Sequence, residues 1–153
     1  MTTSTVLLVA ATSLTGLSAG LFATFSYAVM PGLRRSEDDA LVSAMRGINI
    51  AIINPVFALV FVGSFIASVA ALIAGWDDPA RPWIIAGLAA YVVGGFVVTG
   101  AVNVPLNDAL ESGTGSSASL RESFEARWVR WNHVRSVLTV AAFVCLVVAA
   151  VKS

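Results

Sequence analysis

Apolar and polar positions in this chain fall into long blocks, not into the short alternations of a water-soluble fold. Met1 to Leu33, Gly47 to Trp76 and Pro82 to Asn107 contain no Asp, Glu, Lys or Arg, and neither does the shorter stretch Ser136 to Val151. A bilayer core about 30 Å thick takes about 20 apolar helical residues to cross. The pattern therefore predicts an all-α protein: a four-transmembrane-helix bundle with spans at about 5–30, 48–75, 82–103 and 132–151, forming one domain over residues 1–153. The first block lacks the basic start of a secretion signal and is longer than a signal's apolar core, so it reads as a span.

Short interfacial helices are expected before the second and fourth spans. Pro31 and Gly32 should end the first helix. Ser36, followed by Glu37, Asp38 and Asp39, then reads as an N-cap with acids in the first turn, opening a helix from Glu37 to about Arg46. Pro55 should kink the second span near its start and free a carbonyl near residue 51. Ser119 and Glu122 fit a capping box after the Gly/Ser-rich loop, so a helix should begin near Leu120 and run into the fourth span. That span has only 16 uncharged residues, which leaves Arg135 at the interface and snorkelling outward. Gly16 and Gly20, and the glycines of the third block, mark faces for close packing or for a homo-oligomer.

Composition narrows the function classes. The chain is 58% hydrophobic and 12% charged, with no net charge, and so offers no footprint for nucleic acid. A single cysteine, Cys145, excludes an internal disulfide or a CxxC redox pair, and a single histidine, His133, excludes a bis-histidine haem or a histidine metal cluster within one chain. Four crossings place the two long loops on one side. That side carries Arg34, Arg35, Arg46, Arg121, Arg127, Arg130 and Arg135; the other has only Arg81 and Lys152. The positive-inside rule puts the loops in the cytoplasm and the termini outside.

The same loop side gathers the candidate chemistry. Asn49 and Asn54, Asn103 and Asn107, and Trp128, Asn132 and Arg135 are expected at one membrane depth. Trp128, Asn132 and Arg135 are spaced i, i+4, i+7 and share a helix face. Polar groups inside a membrane are costly and normally face partners or a cavity. They read either as ties between helix ends or as a site. Trp131 and Trp83 read equally as aromatic-belt anchors, and His133 as an interfacial side chain or a base.

Four stretches carry a resemblance over nearly the whole chain: Met30-Pro31-Gly32-Leu33-Arg34; Arg46-Gly47-Ile48-Asn49 through Asn54-Pro55-Val56-Phe57; Asn103-Val104-Pro105-Leu106-Asn107; and Trp128-Val129-Arg130-Trp131-Asn132-His133-Val134-Arg135. In that order they resemble the bacterial domain-of-unknown-function 1772 family, grouped with the anthrone oxygenases. The resemblance implies a small four-helix protein of the bacterial inner membrane. It also implies an oxygenase converting an anthrone-like polycyclic phenol to a quinone with molecular oxygen and no metal, flavin or other cofactor. Such chemistry needs a base, a stabilised oxyanion and a dry seat for a flat ring. On that reading His133 and Arg135 are the catalytic candidates, and Asn49, Asn54, Asn103, Asn107, Trp128, Trp131 and Asn132 bind the lipophilic aromatic substrate. The alternative is a non-catalytic module that binds a lipid or quinone or scaffolds a complex. A transporter is disfavoured because the midplane offers only Ser, Thr and Gly. An enzyme predicts a cavity of several hundred Å³ at the Asn/Trp/Arg mouth; a module predicts a closed, self-satisfied cluster.

Overall fold

The computed structural model describes residues 2–153 and is helical almost throughout. The chain runs α1 (Thr3–Thr24), α2 (Met30–Leu33), α3 (Asp38–Ala51), α4 (Pro55–Ala74), α5 (Arg81–Tyr91), α6 (Val104–Ser112) and α7 (Ser117–Lys152), with π-helical turns at Phe25–Val29, Val92–Val97 and Thr99–Asn103. Four continuous helices are long and apolar enough to cross a membrane: Thr3–Leu33, Pro55–Ala74, Arg81–Ser112 and Ser117–Lys152. Side chains such as Leu59, Ile66, Val137 and Val144 point outward along them, as lipid-facing positions should. The protein is an integral membrane protein by these spans.

The prolines act differently from expectation. The first helix does not end at Pro31 but continues to Leu33, and the third passes through Pro105. A proline ring clashes with the carbonyl four residues back. In both cases the preceding turn widens, so that Met30 N–H donates to Phe25 O and Val104 N–H to Thr99 O, five residues back. Such local π adjustment keeps backbone groups paired where no water is available. Pro55, expected to kink a span, instead starts one. The chain leaves the helix at Ile52–Asn54, and Asn54 caps α4 by accepting from Phe57 N at 2.9 Å.

The interfacial helix before the second span is α3, opened at Glu37 with no side-chain cap, since Ser36 donates to Leu33 O instead. The one before the fourth span is not separate. It is the start of α7, which is capped by Ser116 and not Ser119 and continues for 36 residues, about 54 Å.

Helix α1 packs on α4 and on α7, and α5 packs on α7. Close approach of the third span to α7 requires glycine at two places. A Cβ on Gly94 would lie 2.5 Å from Leu138 Cβ, and one on Gly87 would lie 3.1 Å from Ala142 O. Phe57, Phe61, Phe65 and Phe96 fill the space between α4 and the third span, with Phe61 and Phe96 centroids 4.7 Å apart. Beyond the spans, α2, α3, α6 and the first half of α7 close over the loop side around Phe25, Met30, Leu41, Met45, Phe124 and Trp128. Two arginines fasten this cap through backbone carbonyls. Arg46 donates to Leu110 O (2.8 Å) and Gly113 O (2.7 Å) at the C-terminus of α6, where the helix dipole favours a cation. Arg121 donates to Arg34 O and Ser36 O and pairs with Asp38 and Glu125.

Candidate functional site

Under the cap, α7 presents two adjacent faces. The inner face carries Trp128, Asn132, Arg135 and Thr139, all buried, following the i, i+4, i+7 spacing of the sequence. Asn132, fully buried, donates to Phe22 O at 3.2 Å and Ser26 Oγ at 2.8 Å and accepts from Arg135 at 2.6 Å. Ser26 also bonds Ser136, whose Oγ donates to Asn132 O, so the hydroxyls tie α1 to α7. Arg135 does not snorkel outward. It is 6% exposed and turned into the bundle, with Cζ 4.1 Å from the Phe22 ring centroid and 5.5 Å from that of Trp128. Its long stem is kept inside because α7 continues for about five turns beyond it under the cap. The guanidinium therefore uses aromatic faces and neutral acceptors, donating also to Thr99 Oγ1 at 3.2 Å.

The third span faces this row with Thr99, Asn103 and Asn107. Asn107 accepts from Trp128 Nε1 at 2.8 Å. Asn103, between the two bonded neighbours, is 1% exposed, and neither its Nδ2 nor its Oδ1 has a partner. An unpaired buried amide costs about 1–3 kcal/mol.

The outer face of α7 borders an open groove of about 750 Å³ between α7 and the end of the first helix. Met30, Pro31, Ala126 and Val129 line it with apolar surface; Ser26 contributes a hydroxyl; His133, Arg34, Arg35, Arg121 and Arg130 contribute basic groups, and Glu122 and Glu125 carboxylates. His133 is exposed. One residue beyond Asn132 it is rotated by about 100°, so the imidazole joins the groove and not the Asn132–Arg135 row. Ser26 belongs to both, lining the groove and bonding Asn132.

The remaining candidates lie apart. Asn54 is an exposed helix cap whose Nδ2 donates to Ala51 O. Asn49 sits on α3, half-buried, with Nδ2 unpartnered. Trp131 is 37% exposed, as a belt residue is. The cavity is therefore at the groove, and the Asn/Trp/Arg mouth is packed. Sequence reasoning passed over Ser26, Thr99 and Phe22, because an isolated hydroxyl or ring in an apolar helix signals nothing until its neighbour is known. It also missed Tyr91 in the midplane, whose hydroxyl bonds Ser18 and Phe61 O at 2.9 Å each. Among the described residues no three His, Cys, Asp or Glu side chains converge.

The sequence model described as anthrone oxygenase matches residues 50–145, well over half of the chain. The chain belongs to the anthrone oxygenase family. The matched range covers α4 to α6 and α7 as far as Cys145, with Asn103, Trp128, His133 and Arg135; the first-helix wall of the groove, with Ser26 and Met30, lies before it. No curated protein matches the chain, and no solved structure does.

Proposed function

We propose that this protein oxygenates a lipophilic polycyclic phenol, converting an anthrone-type ring system to a quinone, in the groove bordered by His133. The observation that carries the reading is the groove itself. Its volume lies in the range of small-molecule sites, its lining combines apolar side chains with charged ones, and the only imidazole of the chain stands among them. Family membership supports this reaction class. The cap side faces the cytoplasm, consistent with its excess of arginine, and the substrate enters from the membrane interface.

The chemistry follows from the groups present. An imidazole can serve as a general base. His133 takes a proton from the ring carbon flanked by two aromatic rings. The electron pair delocalises onto the carbonyl oxygen across the ring, and Arg35 and Arg130, which have no carboxylate within salt-bridge range among the described residues, stabilise the resulting oxyanion. Molecular oxygen adds at the electron-rich carbon and takes up the electron pair, forming a C–O bond and a peroxide. Loss of the second proton from that carbon cleaves the O–O bond. One oxygen stays in the quinone and the other leaves as water.

Anaerobic protein in a non-ionic detergent, mixed with a model anthrone and then with oxygen, tests this directly. One oxygen should be consumed per quinone formed, and His133→Ala should slow the reaction about 100-fold, the range for removal of a general base. Quinone formation no faster than without protein, or unaffected by His133→Ala, contradicts the enzymatic reading. Stoichiometric ligand binding with no oxygen uptake marks the groove as the site of a binding module.

A further inference from the structure

The groove beside α7 turns from charged to apolar at a definable depth. Trp131, 37% exposed, marks the headgroup level on α7, and Arg130 is its neighbour in the chain. Beyond them the outward side chains of α7 are apolar, with Val134, Val137, Val140 and Val144 all exposed. On the facing wall the first helix ends at Leu33, and Arg34 and Arg35 follow at once. The groove thus leads from the cap surface to the lipid-facing part of the bundle, with arginine on both walls.

The charges of the groove do not cancel. Its carboxylates are Glu122 and Glu125, and its guanidinium groups belong to Arg34, Arg35, Arg121 and Arg130. Arg121 and Glu125 pair at 2.7 Å, and Asp38 binds Arg121 as well. Arg34 reaches Glu125 only at 3.8 Å and is 80% exposed; a loose pair of that kind is worth little. Arg35 and Arg130 are exposed and have no carboxylate in salt-bridge range among the described residues. Glu122 precedes Arg130 on α7 by about 12 Å along the axis. Unopposed positive charge therefore stands beside the apolar surface of Met30, Pro31 and Val129.

We infer that the groove binds an anionic phospholipid from the leaflet that the cap faces. The phosphate sits on Arg35 and Arg130, with Arg34 beside it, and an acyl chain follows Met30, Pro31 and Val129 toward the bilayer. Basic clefts between spans at the headgroup level select anionic lipids by charge, whereas a choline headgroup would bring a second cation to the arginines. The inference rests on the same groove as the proposed aromatic seat, so lipid and ring are alternative occupants. It uses none of the oxygen chemistry and is read by binding alone.

Thermal unfolding of the purified protein in a neutral detergent tests the site with three probes: dioleoylphosphatidylglycerol, dioleoylphosphatidylcholine and glycerol 3-phosphate. The anionic lipid should raise Tm with the logarithm of its concentration, as a ligand of the native state does. The choline lipid and the soluble phosphate should not. Arg35 and Arg130 are exposed, so the double variant Arg35→Gln, Arg130→Gln should fold. It should need about 30-fold more anionic lipid for the same shift, the worth of two interfacial arginines. Ala126→Trp keeps every charge but fills the groove, and should lose the rise. Arg127→Gln removes an exposed arginine outside the groove lining and should keep it. A rise that is absent, matched by either control probe, undiminished in the double variant or in Ala126→Trp, or equally lost in Arg127→Gln overturns the proposal. The expected pattern in a protein that forms no quinone removes the oxygenase reading and leaves the lipid site standing.

Discussion

The two ends of this bundle are built on opposite plans. At the end bearing the termini, the core is Leu8, Ala11, Ala71, Ala80, Ile84, Leu146 and Ala149, small and wholly apolar. At the loop end, the core is Phe25, Met30, Leu41, Met45, Phe124 and Trp128, and the hydrogen-bonded row from Thr139 to Asn107 runs beneath it. Small side chains let helices close on each other with nothing left unsatisfied. Large rings and amides fix the helices at defined points, and Asn103 is left unpaired among them. Association without a hydrophobic drive depends on close packing in one half and on polar ties in the other.

The sharpest way to break this contrast is to truncate one large residue at each end. Trp128→Ala removes a buried indole and leaves Asn107 without its donor, and should cost about 3–5 kcal/mol in reversible unfolding, with loss of quinone formation. Leu146→Ala should cost about 2–4 kcal/mol while the folded fraction keeps its turnover, because nothing at that end touches the groove. Equal loss of specific activity in both variants would erase the distinction. A smaller effect is expected where the halves meet. Gly94→Ala forces a methyl group against Leu138, next to the Arg135 turn, and should cost about 1–3 kcal/mol. Arg46→Met should cost about 1–2 kcal/mol and speed amide exchange at the end of α6, whose carbonyls it holds.

The sequence made the four spans legible because charge-free blocks of that length have few other uses. It also made the inner face of α7 legible, since Trp128, Asn132 and Arg135 keep helical spacing without interruption. What it concealed were consequences of pairing between distant segments. The orientation of Arg135 depends on the cap that α3 and α6 build above it, and the role of Ser26 on which helix meets α1. Asn54-Pro55 carries an ordinary helix-start signal, yet its position beside other asparagines suggested a site. The π turns before Pro31 and Pro105 follow from proline sterics in a dry environment, where the usual outcome, a broken helix, leaves carbonyls unpaired.

The groove as the substrate's seat is the central claim, and photolabelling tests it most directly. Anthraquinone abstracts hydrogen from neighbouring C–H bonds on irradiation and becomes attached to the residues it touches. Irradiation of the membrane-embedded protein with this product-like ring, followed by peptide mass spectrometry, should place the label on Met30, Ala126 and Val129. Label confined to the lipid-facing side of α4, or spread evenly over the four spans, would contradict it.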